Sequence, residues 1–165
     1  MTTATPPAQP SLAERVADFL AQKRIAVCGV SNKREVPANL ICRKLQGAGY
    51  SVFPVSPTAA SFDGSACYPD LTSIPDGADG VVIVTQPDVT EALVRQCAAA
   101  GVRRVWMHQS FAGSGTSVSA EAVQFCRDNG ISVIDGACPM MFCEPVDIGH
   151  RCIHWLLKAT GGLPH

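Results

Sequence analysis

Residues 24–57 have the sequence RIAVCGVSNKREVPANLICRKLQGAGYSVFPVSP, and this stretch decides the fold. It begins with a short, continuous apolar run at residues 25–30, which is typical of a strand covered on both faces. A polar loop follows, and then a helix that begins near Pro37, where the missing N–H of proline costs nothing. A second strand at residues 51–55 ends the stretch. This order of elements predicts the first half of a mononucleotide-binding fold.

The rest of the chain continues the alternation of helices and strands. A helix with an apolar stripe precedes the first strand, and a loop rich in proline, serine and glycine follows the second. Further strands are predicted at residues 80–85, 105–108 and 131–134, with helices between them. Elements of these lengths in this order predict an α/β protein with three layers. We expect a Rossmann-like fold with a mostly parallel five-stranded sheet and right-handed crossovers.

Local signals predict where several helices begin. Two pairs of residues match the capping box of a helix N-terminus, namely Ser11 with Glu14 and Asp88 with Glu91. Pro145 suits the first turn of the last helix, which we expect to run to about residue 159. Two roles stay open for that last helix. Its apolar residues could cover the core, or they could form the contact of a homodimer.

Composition indicates one domain over residues 11–165, preceded by a disordered tail at residues 1–10 that offers little to bury. The net charge of −1 gives no reason to expect binding to nucleic acid or to an acidic membrane surface. No apolar stretch reaches the roughly 20 residues that span a bilayer. Cys28, Cys97 and Cys126 fall in apolar periodic segments, where free thiols pack as small hydrophobes, so we expect a reduced, cytoplasmic protein.

The loop after the first strand has residue types that suit a diphosphate. Ligands of open α/β sheets bind beyond the carboxyl ends of the strands, and helix N-termini there attract anions. Gly29 allows a tight turn and a close approach of the backbone. Ser31 and Asn32 can donate hydrogen bonds, while Lys33 and Arg34 add mobile cations.

This loop departs from the dinucleotide fingerprint, which would need glycine at Ser31 and Arg34. An NAD site also needs a carboxylate at the end of the second strand, where this chain has Val55-Ser56-Pro57. No Gly-Lys-Ser/Thr follows, so the loop is not a Walker A loop either. Without that carboxylate, a ribose that carries a phosphate is better tolerated. An ordinary βα loop without a ligand is the alternative.

These segments together resemble the CoA-binding domain family, small Rossmann-like proteins related to the N-terminal domain of the succinyl-CoA synthetase α subunit. The resemblance covers about residues 15–140. Its motifs follow one another in the family's order: Val27-Cys28-Gly29-Val30-Ser31, Val55-Ser56-Pro57, Val84-Thr85-Gln86-Pro87, Val105-Trp106 and Gly136-Ala137-Cys138-Pro139.

The resemblance implies that the chain binds coenzyme A or an acyl-CoA. The 3′-phosphate of the ADP part agrees with the missing carboxylate. By carry-over from the family, Gly29, Val30 and Ser31 would contact the diphosphate. Ser56 and Pro57 would flank the nucleotide. The adenine or pantetheine side would be lined by Thr85, Gln86 and Pro87.

One segment differs from the family pattern. The family often has Gln-x-Gly after the tryptophan, whereas this chain has Met107-His108-Gln109-Ser110-Phe111. Gly113 or Gly115 could supply the glycine. His108 is therefore interpreted as a residue that lines the pocket or serves the structure, rather than as a catalytic residue.

The sequence lacks the side-chain sets of an independent enzyme. There is no Gly-x-Ser-x-Gly elbow, and no paired acid and base can be justified by spacing. We therefore expect binding without catalysis. Two alternatives stay open: an NADP-binding oxidoreductase or redox sensor, and an interaction subunit that needs a partner for activity. The acyl group and the pathway cannot be inferred.

The C-terminal third contains several cysteines and histidines. Their spacing is loose for a zinc site, and simple packing is favoured over a metal, so no metal ligand is assigned; the residues are Cys138, Cys143, His150, Cys152 and His154. A separate hypothesis concerns Cys138, which lies near the expected ligand face. Its thiol could form a mixed disulfide with the pantetheine thiol by thiol–disulfide exchange.

Overall fold

The computed structural model describes residues 9–111 and 115–165. The predicted tail at residues 1–10 therefore lies outside the described residues, except for residues 9 and 10. The described strands, in chain order, are β1 (Arg24–Cys28), β2 (Ser51–Val55), β3 (Ser61–Phe62), β4 (Ser65–Ala66), β5 (Gly80–Ile83), β6 (Arg104–Met107) and β7 (Ser132–Asp135). The helices are α1 (Leu12–Leu20), α2 (Pro37–Gly47), α3 (Pro87–Ala99), α4 (Ala120–Asp128) and α5 (Ile148–Thr160), with 3₁₀ turns at Leu71–Ser73 and Pro139–Met141.

Within these residues, five strands form one parallel sheet in the order β2-β1-β5-β6-β7. This confirms the predicted α/β class and the Rossmann-like sheet. The strands β3 and β4 form a small antiparallel hairpin outside the sheet. The chain adds β2 on one side of β1 and β5 on the other, so the order of strands reverses between β1 and β5. Ligands of open α/β folds bind at such a switch point.

Helices cover both faces of the sheet, because alternate residues of each strand point to opposite sides. On one face, Ile25 and Val27 of β1 belong to a core cluster with residues of α1 and α2. On the other face, Ala26 and Cys28 join a cluster with residues of α3 and α4. The sheet is thus the middle of three layers, as predicted.

Trp106 of β6 is fully buried in the first of these clusters and has aromatic neighbours on two sides. Its ring meets Phe19 of α1 edge-on, with 5.4 Å between centroids, and Phe142 lies 5.7 Å away. The indole N–H donates to the Gly136 carbonyl oxygen over 3.1 Å. Phe142 in turn lies 4.6 Å from the ring of His154. A series of rings therefore connects the middle of the sheet to α5.

The first capping box is confirmed and the second is wrong. At α1, the Glu14 N–H donates to Ser11 Oγ, and Glu14 accepts from the Ser11 N–H in return. The helix α3 begins one residue before Asp88, at Pro87, and Gln86 occupies the cap position without a side-chain hydrogen bond. Glu91 instead accepts a 2.6 Å hydrogen bond from Ser119 Oγ, so a contact with another element takes the side chain.

The last helix begins later than predicted. Pro145 lies outside α5, which starts at Ile148 and is capped by Asp147, whose carboxylate accepts from the His150 N–H. No described residue of α5 is fully buried. Trp155 is 72% exposed, while Ile153 packs partly buried against the core. The helix therefore covers the edge of the core with one side and leaves the other side open.

All eight cysteines are free thiols, and seven are buried. Cys28, Cys97 and Cys126 lie in the core as the sequence predicts. No helix in residues 9–111 and 115–165 combines the length and the apolar character that crossing a membrane requires.

Candidate functional site

A cleft of about 510 Å³ opens at the switch point between β1 and β5. The loops that follow β1, β5 and β6 form its walls, together with the start of α2. It is lined by Gly29, Arg34, Glu35, Val36, Pro37, Val84, Thr85, Gln86, His108, Ser110, Gly115, Thr116 and Ser117. The carboxyl ends of three adjacent strands thus converge where the fold predicts a ligand.

Gly29 sets the close approach of two of these loops. Its φ is +104°, and a Cβ atom at this position would lie 2.1 Å from the Val84 carbonyl oxygen. Its N–H donates to the Val55 carbonyl oxygen over 3.0 Å. A side chain is excluded both by the backbone conformation and by the neighbouring strand end. The sequence prediction of a tight turn at Gly29 agrees with this geometry.

Asn39, in the first turn of α2, holds the loop in place. The residue is 2% exposed. Asn39 Oδ1 accepts from the Ser31 N–H over 2.9 Å, and its Nδ2 donates to the carbonyl oxygens of Ser31, at 2.9 Å, and Arg34, at 3.2 Å. Sequence reasoning missed this residue. The only signal was an amide side chain in the first turn of a helix, where such groups often bond to nearby backbone.

The start of α2 suits an anion. Val36 occupies the cap position in an extended conformation, without a side-chain hydrogen bond to the helix, and Pro37 follows. No acidic residue lies in the first turn of α2. Helix N-termini attract negative charge through their backbone N–H groups and the helix dipole.

A second cavity, of about 400 Å³, lies beside the cleft and shares Arg34 and Glu35 with it. Its ionic residues are the cations Lys33, Arg34 and Arg43 and the carboxylates Glu35 and Asp63. Three cations against two carboxylates leave one net positive charge. This cavity therefore favours an anionic group.

Arg43 forms ion pairs with both carboxylates of this second cavity. Its guanidinium lies 2.7 Å from Glu35 Oε1 and 2.6 Å from Asp63 Oδ2. Hydrogen bonding from Arg43 lowers the pKa of Asp63. Sequence reasoning considered only the end of the second strand and missed Asp63, which the hairpin loop between β3 and β4 brings back to this place. Lys33 and Arg34 make no ion pair within the described residues.

The eleven predicted binding residues divide into three groups. Four line the cleft: Gly29, Arg34, Thr85 and Gln86. Four, with Arg34 again among them, line the second cavity: Ser31, Asn32, Lys33 and Arg34. The remaining four line neither space: Val30, Ser56, Pro57 and Pro87. Val30 and Ser56 are buried, so only their backbone could serve a ligand at these positions.

Hydroxyl groups connect the loops after β5 and β6. The Thr85 N–H donates to Ser117 Oγ over 3.0 Å, and Thr85 Oγ1 lies 3.1 Å from Thr90 Oγ1. The buried Thr90 hydroxyl also donates to the Gln86 carbonyl oxygen. These bonds connect the two loops where they line the cleft.

Described residues on the two sides of the loop after β6 pair with each other. The Ser110 N–H donates to the Gly115 carbonyl oxygen over 2.9 Å, and Gln109 bridges to Thr116. Gly115 lines the cleft with a φ of +149°, so it can supply the glycine that the family often has in this segment. The other candidate, Gly113, lies outside the described residues.

His108 lies at the inner end of the cleft. The residue is 4% exposed, and its imidazole has no hydrogen-bond partner among the described residues. Burial lowers the pKa of His108 to about 4, so the ring is neutral at neutral pH. The sequence placed His108 at a strand end but did not reveal that it lies between two cavities.

The cysteines and histidines of the C-terminal third lie in different surroundings. Over the described ranges, no three His, Cys, Asp or Glu side chains are placed to hold a metal ion. His150 Nδ1 lies 2.6 Å from Asp147 Oδ2. Cys138 is 7% exposed, and burial raises its pKa to about 11. That shift disfavours the thiolate that a mixed disulfide with pantetheine would need.

Comparisons with known proteins show which family the chain resembles. Residues 23–144 match a protein family described as CoA binding domain. The chain is 26% identical over 129 residues to the uncharacterized protein YneT of Bacillus subtilis, covering 78% of this chain and 91% of that protein. It is 27% identical over 120 residues to the ADP-forming acetate–CoA ligase I of Archaeoglobus fulgidus, covering 70% of this chain but only 18% of the ligase.

A solved structure has the same fold. The structure of a hypothetical protein from Pyrococcus horikoshii superposes with a TM-score of 0.72 at 27% sequence identity. The superposition covers 88% of this chain and 99% of that one. The similarity therefore extends across nearly the whole of a small protein, not only across one strand and loop.

Proposed function

The chain belongs to the CoA-binding domain family, and from that premise we propose that it binds coenzyme A or an acyl-CoA without catalysing a reaction on it. The observation that carries the proposal is the cleft at the β1/β5 switch point, where the uncapped start of α2 meets Gly29. A loop of this kind suits the diphosphate of a nucleotide.

The ADP part of the ligand would bind around the loop that Asn39 holds. Backbone groups of Gly29, Val30 and Ser31 would contact the diphosphate, with Asn32 beside them. Lys33 and Arg34 are exposed and have no ion-pair partner in the described residues, so they are available to neutralise the 3′-phosphate.

The remaining predicted contacts come from the ends of β2 and β5, and only some of these residues line the cleft. Thr85 and Gln86 line the cleft where a pantetheine arm or an adenine would lie, beside Pro87. Ser56 and Pro57 would flank the nucleotide from the end of β2. Because the Ser56 side chain is buried, we propose that this contact is made by its backbone or by the exposed Pro57.

The cleft offers little support for catalysis by this chain alone. In residues 9–111 and 115–165, the imidazole of His108 makes no hydrogen bond to a serine, threonine or cysteine. A nucleophile activated by a neighbouring base would need such a bond. This favours a module that holds its ligand. Buried free thiols favour a reducing compartment, so we retain the cytoplasm as the proposed location.

A specific observation favours one alternative, an interaction subunit that needs a partner. The matching segment forms only 18% of the A. fulgidus ligase. A domain of this family therefore occurs within a much larger CoA ligase, and a separate chain could act with a second protein that supplies the catalytic part. The NADP alternative depends on the same two cations, since a 2′-phosphate needs similar neutralisation.

Isothermal titration calorimetry with coenzyme A, 3′-dephospho-CoA, NADPH and NAD tests the proposal. We expect coenzyme A to bind most tightly, dephospho-CoA more weakly, and both nicotinamide nucleotides not at all. Binding of NADPH but not of coenzyme A would instead establish the redox alternative. If none of the four binds and the protein co-purifies in a stable complex with a second protein, the interaction subunit is supported.

A further inference from the structure

An apolar cavity of about 230 Å³ continues the cleft beyond His108. It shares Pro37, His108 and Ser110 with the cleft, so the two spaces adjoin. Its remaining walls are mostly apolar: Leu40, Ile41, Phe111, Met140, Met141 and Ile153. Cys138 and His150 complete the lining.

The ionic cavity, the cleft and the apolar cavity adjoin in that order, and their linings become less polar along it. The cavity around Lys33 and Arg43 is ionic, with one net positive charge. The cleft in the middle presents hydroxyl and amide groups such as Thr85, Gln86 and Ser117. The third space is apolar. An acyl-CoA has the same order of parts: an anionic nucleotide, an amide-bearing arm and a hydrocarbon chain.

His108 lies where the amide-lined cleft meets the apolar cavity. The residue is 4% exposed, and its ring forms no hydrogen bond with another side chain or backbone group in the described part of the chain. His108 lines both the cleft and the apolar cavity. A neutral imidazole has one N–H donor and one acceptor. Because His108 lines both spaces, its N–H can be donated to a ligand group that accepts a hydrogen bond there.

We propose that the apolar cavity takes the acyl chain of a short-chain aliphatic acyl-CoA and that His108 donates a hydrogen bond to its thioester carbonyl oxygen. The inference rests on the proposed binding of coenzyme A in the cleft. It distinguishes an acyl-CoA from free coenzyme A, which has neither the carbonyl group nor the chain. His108 is thus a specificity-determining residue, not a catalytic one.

The size of the cavity limits the chain length. A water molecule takes about 30 Å³ of liquid volume, so 230 Å³ holds roughly seven or eight groups of that size. Acyl chains of up to about six carbons fit with their carbonyl group, whereas most of a fatty acyl chain of sixteen carbons would lie outside the cavity. Each buried methylene should raise the affinity roughly threefold to fourfold.

Calorimetric titration of the intact protein with coenzyme A and with acetyl-, butyryl-, hexanoyl- and palmitoyl-CoA measures this dependence. We expect the affinity to rise from acetyl-CoA to hexanoyl-CoA and to gain nothing further with palmitoyl-CoA. Equal affinities for coenzyme A and hexanoyl-CoA would overturn the inference and leave the proposed function intact. Failure of all five to bind would overturn both.

Two exposed leucines provide a matched pair of variants. Leu40 is 48% exposed and lines the cavity, whereas Leu156 is 43% exposed and does not. We expect L40E to lower the affinity for hexanoyl-CoA about tenfold or more, with little change for coenzyme A, because it puts a carboxylate at the apolar wall. L156E should change neither affinity. Equal behaviour of the two variants would contradict the assignment of the cavity.

The role of His108 is tested with two ligands that differ only in the carbonyl group, butyryl-CoA and its thioether analogue S-butyl-CoA. The wild-type protein should prefer butyryl-CoA, and H108L should lose that preference, by about fivefold to tenfold. H108Q retains an N–H donor and should recover part of it. A loss that is equal for both ligands would show a structural role only and overturn the assignment of the hydrogen bond.

Discussion

Asn39 and Ser31 exchange two hydrogen bonds of 2.9 Å, one in which the Ser31 N–H donates to the side chain and one in which the side chain donates to the Ser31 carbonyl oxygen. Asn39 is almost fully buried, and it also donates to the Arg34 carbonyl oxygen. A single amide side chain therefore fixes the loop that would meet the diphosphate. Within the loop, Ser31 Oγ also accepts a 3.2 Å hydrogen bond from the Lys33 N–H.

The variant N39D should separate this clamp from simple packing. The carboxylate has the same shape, but it loses both donated bonds and faces two carbonyl oxygens. We expect the free energy of unfolding to fall by about 2–4 kcal/mol and coenzyme A affinity to fall at least about tenfold. Urea denaturation and calorimetry measure the two effects. N129D is the control, because Asn129 donates one similar bond at an exposed helix end and should cost little.

Gly29 should tolerate no side chain, even alanine. The comparison is with Gly49, whose φ of +93° is similar but where an added Cβ meets no atom within 4 Å. G49A carries only the backbone strain, about 1–2 kcal/mol. G29A adds the collision with the Val84 carbonyl oxygen, so we expect it to lose at least about 2 kcal/mol more in urea denaturation. If G29A and G49A lose the same free energy of unfolding, the loops after β1 and β5 can move apart to make room for the added Cβ at no energetic cost.

Lys33 should act on the 3′-phosphate rather than on the whole ligand. K33Q removes one exposed cation, so we expect coenzyme A affinity to fall about threefold to fivefold, in line with about 1 kcal/mol for an exposed ion pair. Affinity for 3′-dephospho-CoA should not change. K23Q, at the opposite end of β1, serves as the control. The same loss for both ligands would place Lys33 elsewhere on the nucleotide.

His108 should make stability depend on pH. Its pKa is about 4 in the folded protein and near the ordinary 6.5 in the unfolded chain. Between these values the unfolded chain binds the extra proton, so stability decreases as the pH falls from about 6.5 to about 4. The full effect is about 3 kcal/mol. Urea denaturation of wild type and H108Q measures it, because other groups titrate in both proteins and the difference isolates His108. Identical pH profiles would contradict the buried neutral ring.

Thiol labelling should distinguish Cys152 from Cys138. Cys152 is the exposed cysteine, whereas burial raises the pKa of Cys138 to about 11. At pH 8 only roughly one Cys138 side chain in a thousand would be a thiolate. We expect DTNB to label one thiol quickly, and C152S to abolish that fast phase while C138S leaves it intact. Fast labelling of Cys138 would instead support the mixed disulfide with pantetheine.

The fold was predictable because its signals are local. The apolar run at β1, the proline at the start of α2 and the spacing of the strands each depend on neighbouring residues. The capping box at α3 failed for the opposite reason. Asp88 and Glu91 have the correct spacing, but Pro87 already starts the helix and Glu91 bonds to Ser119, 28 residues further along the chain. A local pattern cannot reveal such a tertiary partner.

In the candidate site, too, local sequence signals indicate some residues, whereas others reach the site only through tertiary contacts. Gly29, Lys33 and Arg34 follow the first strand directly, so their place at its carboxyl end could be inferred. Asp63 reaches the ionic cavity only because the β3–β4 hairpin folds back to Arg43, and no spacing rule indicates that contact. The position of His108 between two cavities could not be predicted, because the apolar cavity forms only once α5 and the segment before it cover this edge of the sheet.

Because Trp106 belongs to the aromatic series from Phe19 through Phe142 to His154, its intrinsic fluorescence can report on structural change. Of the two tryptophans, Trp106 emits from a dry interior and Trp155 from water, so their fluorescence spectra differ in wavelength. Phe142, which touches the Trp106 indole, comes directly after Met141 in the chain. A displacement of that segment alters the surroundings of the indole, so its emission reports movement at the far end of the cleft without an added dye.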